Sequence, residues 1–216
     1  TTYSKAHFAP TEPTAEDIKI EDIAHALSLM CRANGHCKRF FSVAQHSINC
    51  AMEAKARGCS KKVQLACLIH DASEAYLADI TRPVKSYLPQ YLLFEEKLQT
   101  MIYNKFLDSE LTEDELKQLS EVDDAMLYYE FMELMEEKIF DIQPELMGKP
   151  NFETRDFKAI EYQFLNIYKS LTQGEMNPLF TNQKYLSVGV DGCEGKWLAV
   201  ALTDNGFEVD LLKNIS

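Results

Sequence analysis

Positive charge is scarce in this chain: 22 lysines and arginines stand against 34 aspartates and glutamates, a formal net charge of −12. A surface that coats nucleic acid or anionic lipid needs the opposite balance, so the composition argues against both as partners. One small phosphate ester is still compatible, because a metal and one or two local cations suffice for it. Long apolar runs are missing as well. No stretch reaches the ~18–20 residues that span a bilayer, and the opening Thr1-Thr2-Tyr3-Ser4-Lys5 has no apolar leader. The expectation is a cytoplasmic protein with no membrane partner. The six cysteines (Cys31, Cys37, Cys50, Cys59, Cys67 and Cys193) contain no CxxC pair. They read as free thiols in a reducing compartment. A zinc knot from Cys31, Cys37 and His36 lacks a fourth cysteine nearby.

What remains is helical nearly throughout. Ile20, Ile23, Ala24, Leu27, Met30 and Cys31 recur at three- and four-residue spacing and predict an amphipathic helix over 17–33, stopped by Asn34-Gly35. A second helix runs from Ser42 to Arg57 before Gly58, and a third opens at Ser60. Pro83 and Pro89 make 79–89 loop or broken helix. A fourth helix covers 91–107, and a fifth opens on the capping box Thr112-Glu113-Asp114-Glu115 and runs toward Phe140. After Pro144, Gly148 and Pro150, a sixth covers Thr154 to Leu171. Beyond Gln173-Gly174 the pattern changes to three short strand-like segments around the turn signal Asp204-Asn205-Gly206, a small meander that needs a partner surface.

Chemistry concentrates at His70-Asp71, which ends the apolar run Val63, Leu65, Ala66, Cys67, Leu68, Ile69. Neighbours on a helix lie about 100° apart, so both cannot enter one packed face. At the C-terminal edge of a buried helix they converge on a cleft instead. His46, on the preceding helix, and Asp123, on a later one, supply partners. Two imidazoles and two carboxylates suit a divalent ion such as Mn, Fe, Co, Ni or Zn. Asp124 competes with Asp123. Asp123 has Met126, Leu127 and Glu130 on its side of the helix.

The ordered pattern His46, His70-Asp71, Asp123 resembles that of the HD-domain metal-dependent phosphohydrolases. The flanks His70-Asp71-Ala72-Ser73-Glu74, Asp79-Ile80 and Pro83-Val84-Lys85 are similar to the bacterial 5'-deoxynucleotidase branch. Ile20-Glu21-Asp22-Ile23-Ala24-His25-Ala26-Leu27-Ser28 and Ser42-Val43-Ala44-Gln45-His46-Ser47 resemble small relatives of it. The resemblance covers about residues 8–170. It implies an all-α HD-domain helical bundle over 1–175, with a short β-meander appended at the C-terminus. It also implies one divalent metal (Mn, Co, Ni, Fe, Zn or Mg) on His46, His70, Asp71 and Asp123, with open positions for water and substrate.

By the same resemblance Glu74 acts on the attacking water, and Asp79 meets a sugar hydroxyl or the leaving oxygen. Arg32 holds the phosphate as a bidentate fork, with Lys85 and His36 beside it. The aromatic expected after Arg32 is replaced by Ala33, which puts base or sugar selection in doubt. The implied activity is hydrolysis of a phosphomonoester, a nucleoside 5'-monophosphate or similar small phosphate ester, with a homodimer compatible. A phosphodiesterase or pyrophosphohydrolase acting on a signalling nucleotide is an alternative, weakened because Ala75 stands where those enzymes carry a second acid. A non-catalytic metal-binding regulator is the other. Residues 182–216, around Val188-Gly189-Val190-Asp191-Gly192-Cys193, are similar to the opening strands of a ribonuclease H-like family of predicted nucleases. Asp191 would be its first carboxylate. The partner carboxylates of a two-metal site are not in this chain, so a structural role is expected.

Overall fold

A computed structural model describes residues 1–173 with their side chains and the backbone of 187–193, 196–203 and 206–212. The chain divides into two units, Thr1–Thr172 and Gln173–Ser216, each described by itself. The first contains helices α1 (Ile20–Leu29), α2 (Val43–Ala56), α3 (Lys61–Ile69), α4 (Glu74–Leu77), α5 (Arg82–Lys85), α6 (Pro89–Phe106), α7 (Glu113–Leu134) and α8 (Phe157–Thr172). None of the helices among the described residues is long and apolar enough to cross a membrane.

Caps set most of the helix starts. Ser42 and Gln45 form a reciprocal capping box at α2, Thr112 and Glu115 form another at α7, and Ser60 accepts from the Val63 N–H at α3. Pro83 and Pro89 sit in the first turns of α5 and α6, where a missing N–H costs no helical bond. Three boundaries depart from the sequence pattern. α1 ends at Leu29, because Met30 and Cys31 are extended and Cys31 pairs with Ser42 in an isolated bridge. α7 stops at Leu134, with Glu136 at φ 58°, and does not continue to Phe140. α8 starts at Phe157 because the Asp156 carboxylate accepts from the Lys158 and Ala159 N–H groups, so Asp156 replaces Thr154 as the cap.

α2 runs through the middle of this unit, in contact with α1, α3, α7 and α8. Ile23 and Leu27 of α1, Ile48 of α2, Leu68 and Ile69 of α3, Leu98 and Ile102 of α6, and Ile160 and Phe164 of α8 form one buried cluster. Cys50 and Ala54 join Val63, Cys67, Val122 and Met126 in a smaller one. Nearly every residue of α2 is buried, polar ones included, and those polar groups fasten the irregular segment between α7 and α8. The Gln45 amide donates to the Glu153 carbonyl. Asn49 both donates to the Asn151 carbonyl and accepts from the Asn151 N–H. Glu53, 1% exposed, accepts from Met147 N–H, Gly148 N–H and Arg57. These bonds hold its carboxyl below the usual carboxylate range, against the opposing effect of burial.

The expected fold class, an all-α bundle with an appended β-meander, is corrected in its second part. The Thr1–Thr172 unit has no strand among its residues. The extended segments β1 (Ser187–Cys193), β2 (Lys196–Thr203) and β3 (Gly206–Leu212) belong to the other unit. They pair with one another, antiparallel β1–β2 and β2–β3, with β2 in the middle. Residues 182–186, the Asp204-Asn205 pair of the expected turn and 213–216 lie outside the described residues, as does the side chain of Asp191; residue 191 itself is paired with Leu198 in the β1–β2 register.

Glu53→Ala removes an acceptor from three donors at once. It is expected to lower the stability of the helical unit by about 3 kcal/mol. Urea denaturation followed by helical circular dichroism measures this, and a change under about 1 kcal/mol would contradict the fastening role.

Candidate metal centre

Three helices and one turn bring the donors together. His46 projects from buried α2, His70 caps the C-terminus of α3 with Asp71 just beyond it, and Asp123 faces them from α7. His46 Nε2 lies 3.2 Å from His70 Nε2, 3.1 Å from Asp123 Oδ1 and 3.7 Å from Asp71 Oδ2. His70 Nε2 lies 3.4 Å from Asp71 Oδ1 and 3.6 Å from Asp123 Oδ1. An ion bound at ~2.0–2.2 Å by nitrogen and oxygen spaces its donors by about 3.0–3.5 Å along the edges of a tetrahedron or octahedron. The observed separations fall close to that range.

The hydrogen bonds behind the rings carry the stronger argument. His70 Nδ1 sits 2.8 Å from the Cys67 carbonyl, which can only accept, so Nδ1 bears the hydrogen. His46 Nδ1 sits 2.6 Å from Glu130 Oε1, again an acceptor. Whenever either ring is neutral its lone pair therefore lies on Nε2, and the two Nε2 atoms face each other and two carboxylates. Only positive charge satisfies such a set, and a carboxylate or carbonyl behind each ring is how metal-bound histidines are oriented. A divalent cation fits these residues.

The titration behaviour agrees. Burial and Arg32 press the His46 imidazole toward neutrality, but Cys50, Glu130 and Asp123 outweigh them and raise it well above the ordinary histidine value. For His70, Asp71 and Asp123 overcome burial and raise it too. Burial opposes ionisation of Asp123 and Asp71, yet the two imidazoles hold both carboxyls below their usual range. Glu74 behaves in the opposite way: burial, then Asp71 and Asp79, push it up to about 9.

Glu74 is 5% exposed and its Oε2 has no partner, as is true of Asp79 Oδ2, whose carboxyl is also raised by burial. Both are orphaned acceptors or donors near a cleft of about 370 Å³ lined by His70, Asp71, Ser73, Glu74, Lys85 and Glu95, among others. Lys85 Nζ reaches Glu95 at 2.6 Å and Glu74 at 3.6 Å. Arg32 stands at 3.5 Å from Asp71 and 3.3 Å from Glu130. It is held there by a turn in which Ala33 and Asn34 both adopt φ 51°, and by its own N–H on the Phe41 carbonyl. A left-handed alanine is a strained conformation, and here it curls the chain so that Arg32 returns toward α2.

Of the residues singled out in the sequence, His46, His70, Asp71, Asp123, Glu74, Asp79, Arg32 and Lys85 are drawn to this region. His36 is exposed, and its ring makes no hydrogen bond among the described residues. Asp124 is turned outward to Arg82, at 3.4 Å. Three further residues take part to which the sequence assigns no role. Glu130, which orients His46, carries the signal of lying seven residues after Asp123. Cys50 lies four after His46, and its Sγ is 3.6 Å from His46 Nε2. His46, Cys50, His70 and Asp123 place one donor atom each within 4.8 Å of one another and form a group that can hold a metal ion. Burial pushes the Cys50 thiol up to about 11. Arg82 reaches Asp123 Oδ2 at 2.8 Å, and nothing in the sequence pattern announces it.

No family model matches the chain. It is 40% identical over 105 residues to the uncharacterized protein YfdR of Escherichia coli (strain K12), covering 49% of this chain and 56% of that protein. It is 38% identical over 101 residues to the uncharacterized protein RCAP_rcc00048 of Rhodobacter capsulatus, covering 44% and 51%. The chain spans about half the length of the curated relatives it matches. A helical unit with a His, Cys, His, Asp cluster able to hold a metal is compatible with an HD-type domain.

The pH dependence of the metal-free protein follows with its sign. Glu74, His46 and His70 bind protons more tightly folded than unfolded, so their contributions are present at low pH and lost as pH rises through the folded values, up to about 9 for Glu74. Asp71 and Asp123 contribute above the usual carboxylate range and lose that contribution in acid. Metal-free protein is therefore expected to melt at falling temperature from pH 6 to about 9. Glu74→Gln should flatten that slope, and a bound divalent ion should reverse the loss by replacing the histidine protons. Melting curves across this range, with and without chelator, decide it; a flat profile without metal would contradict the assignment.

Proposed function

We propose that this protein is a metal-dependent phosphohydrolase that cleaves a phosphomonoester, that of a nucleoside 5'-monophosphate or a similar small phosphate. The observation that carries this reading is the meeting of two imidazole Nε2 atoms, each backed by an acceptor at Nδ1, with Asp71 and Asp123 beside a cleft that also holds Glu74 and Lys85. The resemblance to the HD-domain enzymes supplies the reaction class. Bound there, a divalent metal supplies an acidified water and neutralises charge on phosphorus.

The chain's own residues have defined tasks in this reading. Arg32 presents a guanidinium fork already faced by Asp71 and Glu130, ready to exchange a carboxylate oxygen for phosphoryl oxygens. Glu74, with one oxygen unpartnered, takes or returns the proton of the reacting water. Asp79, also unpartnered, accepts from a substrate hydroxyl or stands by the leaving oxygen. Lys85 screens the added negative charge in a chain that is otherwise acidic. His36, exposed and without a hydrogen bond from its ring among the described residues, is given no task in this reading. The absence of an acid after Glu74, where Ala75 stands, favours a monoester over a diester or pyrophosphate.

Release of inorganic phosphate from nucleoside 5'-monophosphates, with Mn, Co, Ni or Mg added back after chelation, tests this directly. His70→Ala should abolish metal-dependent release, and Glu74→Ala should reduce it by about 10²–10⁴-fold. Protein that binds a metal and releases no phosphate from any member of the panel would sink the monophosphatase reading.

A further inference from the structure

The metal centre has a second side. Three donors, His46 Nε2, His70 Nε2 and Asp123 Oδ1, are common to two different sets of four. Asp71 completes one set toward the cleft, since Asp71 and His70 line that cleft. Cys50 completes the other. Its thiol is 1% exposed, lies among Ala54, Val63, Cys67, Val122 and Met126, and does not line the cleft. It follows His46 by one turn of α2, so both side chains leave the same helix face. The group whose donors lie within 4.8 Å of one another contains Cys50 and leaves out Asp71.

The distances suit a sulfur ligand. Zinc bonds of ~2.3 Å to sulfur and ~2.0–2.1 Å to nitrogen, held at a tetrahedral angle, separate sulfur from nitrogen by about 3.5 Å. Cys50 Sγ lies 3.6 Å from His46 Nε2. Carboxylate oxygens suit harder ions such as manganese or magnesium, imidazole suits zinc, iron or nickel, and thiolate selects softer ions such as zinc.

We propose that the centre is bimodal: a hard divalent ion uses Asp71 as its fourth protein ligand and faces the cleft, while a thiophilic ion such as zinc is held through Cys50 in a closed, four-coordinate mode behind it. Forming the second mode breaks the Cys50 S–H bond, makes a metal–sulfur bond and releases the proton to the buffer. All four positions are then occupied by protein, as in structural zinc sites, and no position is left for water or substrate. Zinc would thus occupy the same triad as the active ion and silence it. This rests on the metal centre, and the phosphate assay above tests the reaction class separately.

Cobalt(II) reads the ligand set without any assay of activity. Stripped full-length protein is titrated with Co²⁺ and its absorption recorded, alongside Cys50→Ser, Cys50→Ala and Cys67→Ser. A sulfur-to-cobalt charge-transfer band in the near ultraviolet, present in wild type and Cys67→Ser and absent from both Cys50 variants, is the expected result. The preference for zinc over manganese, from competition titrations, should fall at least about tenfold in the Cys50 variants. Stoichiometric cobalt binding without that band overturns the Cys50 mode and leaves the metal centre standing, and a band that survives in Cys50→Ser and Cys50→Ala also overturns it. Failure to bind cobalt at all overturns both. Should the Cys50 variants not fold, the wild-type spectrum decides alone.

Discussion

His46 and His70 face each other through their Nε2 atoms beside two carboxylates, and the surrounding structure is built so that positive charge, a proton or a cation, must sit among them. The Cys67 carbonyl fixes one ring and Glu130 the other. Glu130 is itself gripped by Arg32, and Arg32 is positioned by a left-handed turn and a bond from its N–H to the Phe41 carbonyl ahead of α2. Without that charge, so close an approach would ordinarily be relieved by a ring flip or a shifted helix. Here each escape would strand a partner, so α2, α3 and α7 and the turn before α2 hold one electrostatic demand in common.

The few basic residues of this acidic chain show the same demand from another side. Arg32, Lys85 and Arg82 each approach carboxylates of the region, while Glu74 and Asp79 keep an oxygen without a partner. Cations are held by acids they can exchange, and acids are held by burial in a state near neutrality. Such a region is poised to receive a charged guest, because the groups that must meet it are already in place and desolvated.

Helix existence was legible from periodicity and punctuation, because Ser42, Ser60 and Thr112 are caps whose chemistry is local. Helix ends were less so. The bridge between Cys31 and Ser42 that shortens α1 is a tertiary pairing, invisible to any window of sequence. His46, His70, Asp71 and Asp123 were legible through the ordered motif. Glu130 and Cys50 were legible in spacing alone, at seven residues from Asp123 and four from His46, but identical spacings arise in any packed helix. Arg82 and the outward turn of Asp124 depend on where a loop falls in space, which neither composition nor period encodes. The C-terminal segments were read as an appendage of the bundle because alternation reports strands and says nothing of which fold they belong to.

The polar bolts along α2 have a consequence for how the molecule comes apart. The segment between α7 and α8 has no regular structure, and its amides at Met147, Gly148 and Asn151 find acceptors on α2 itself. Its order is borrowed from the helix that carries His46. Breathing of that strap and loosening of the histidine ligand are then a single cooperative opening, shared by a surface stretch and the deepest helix of the unit.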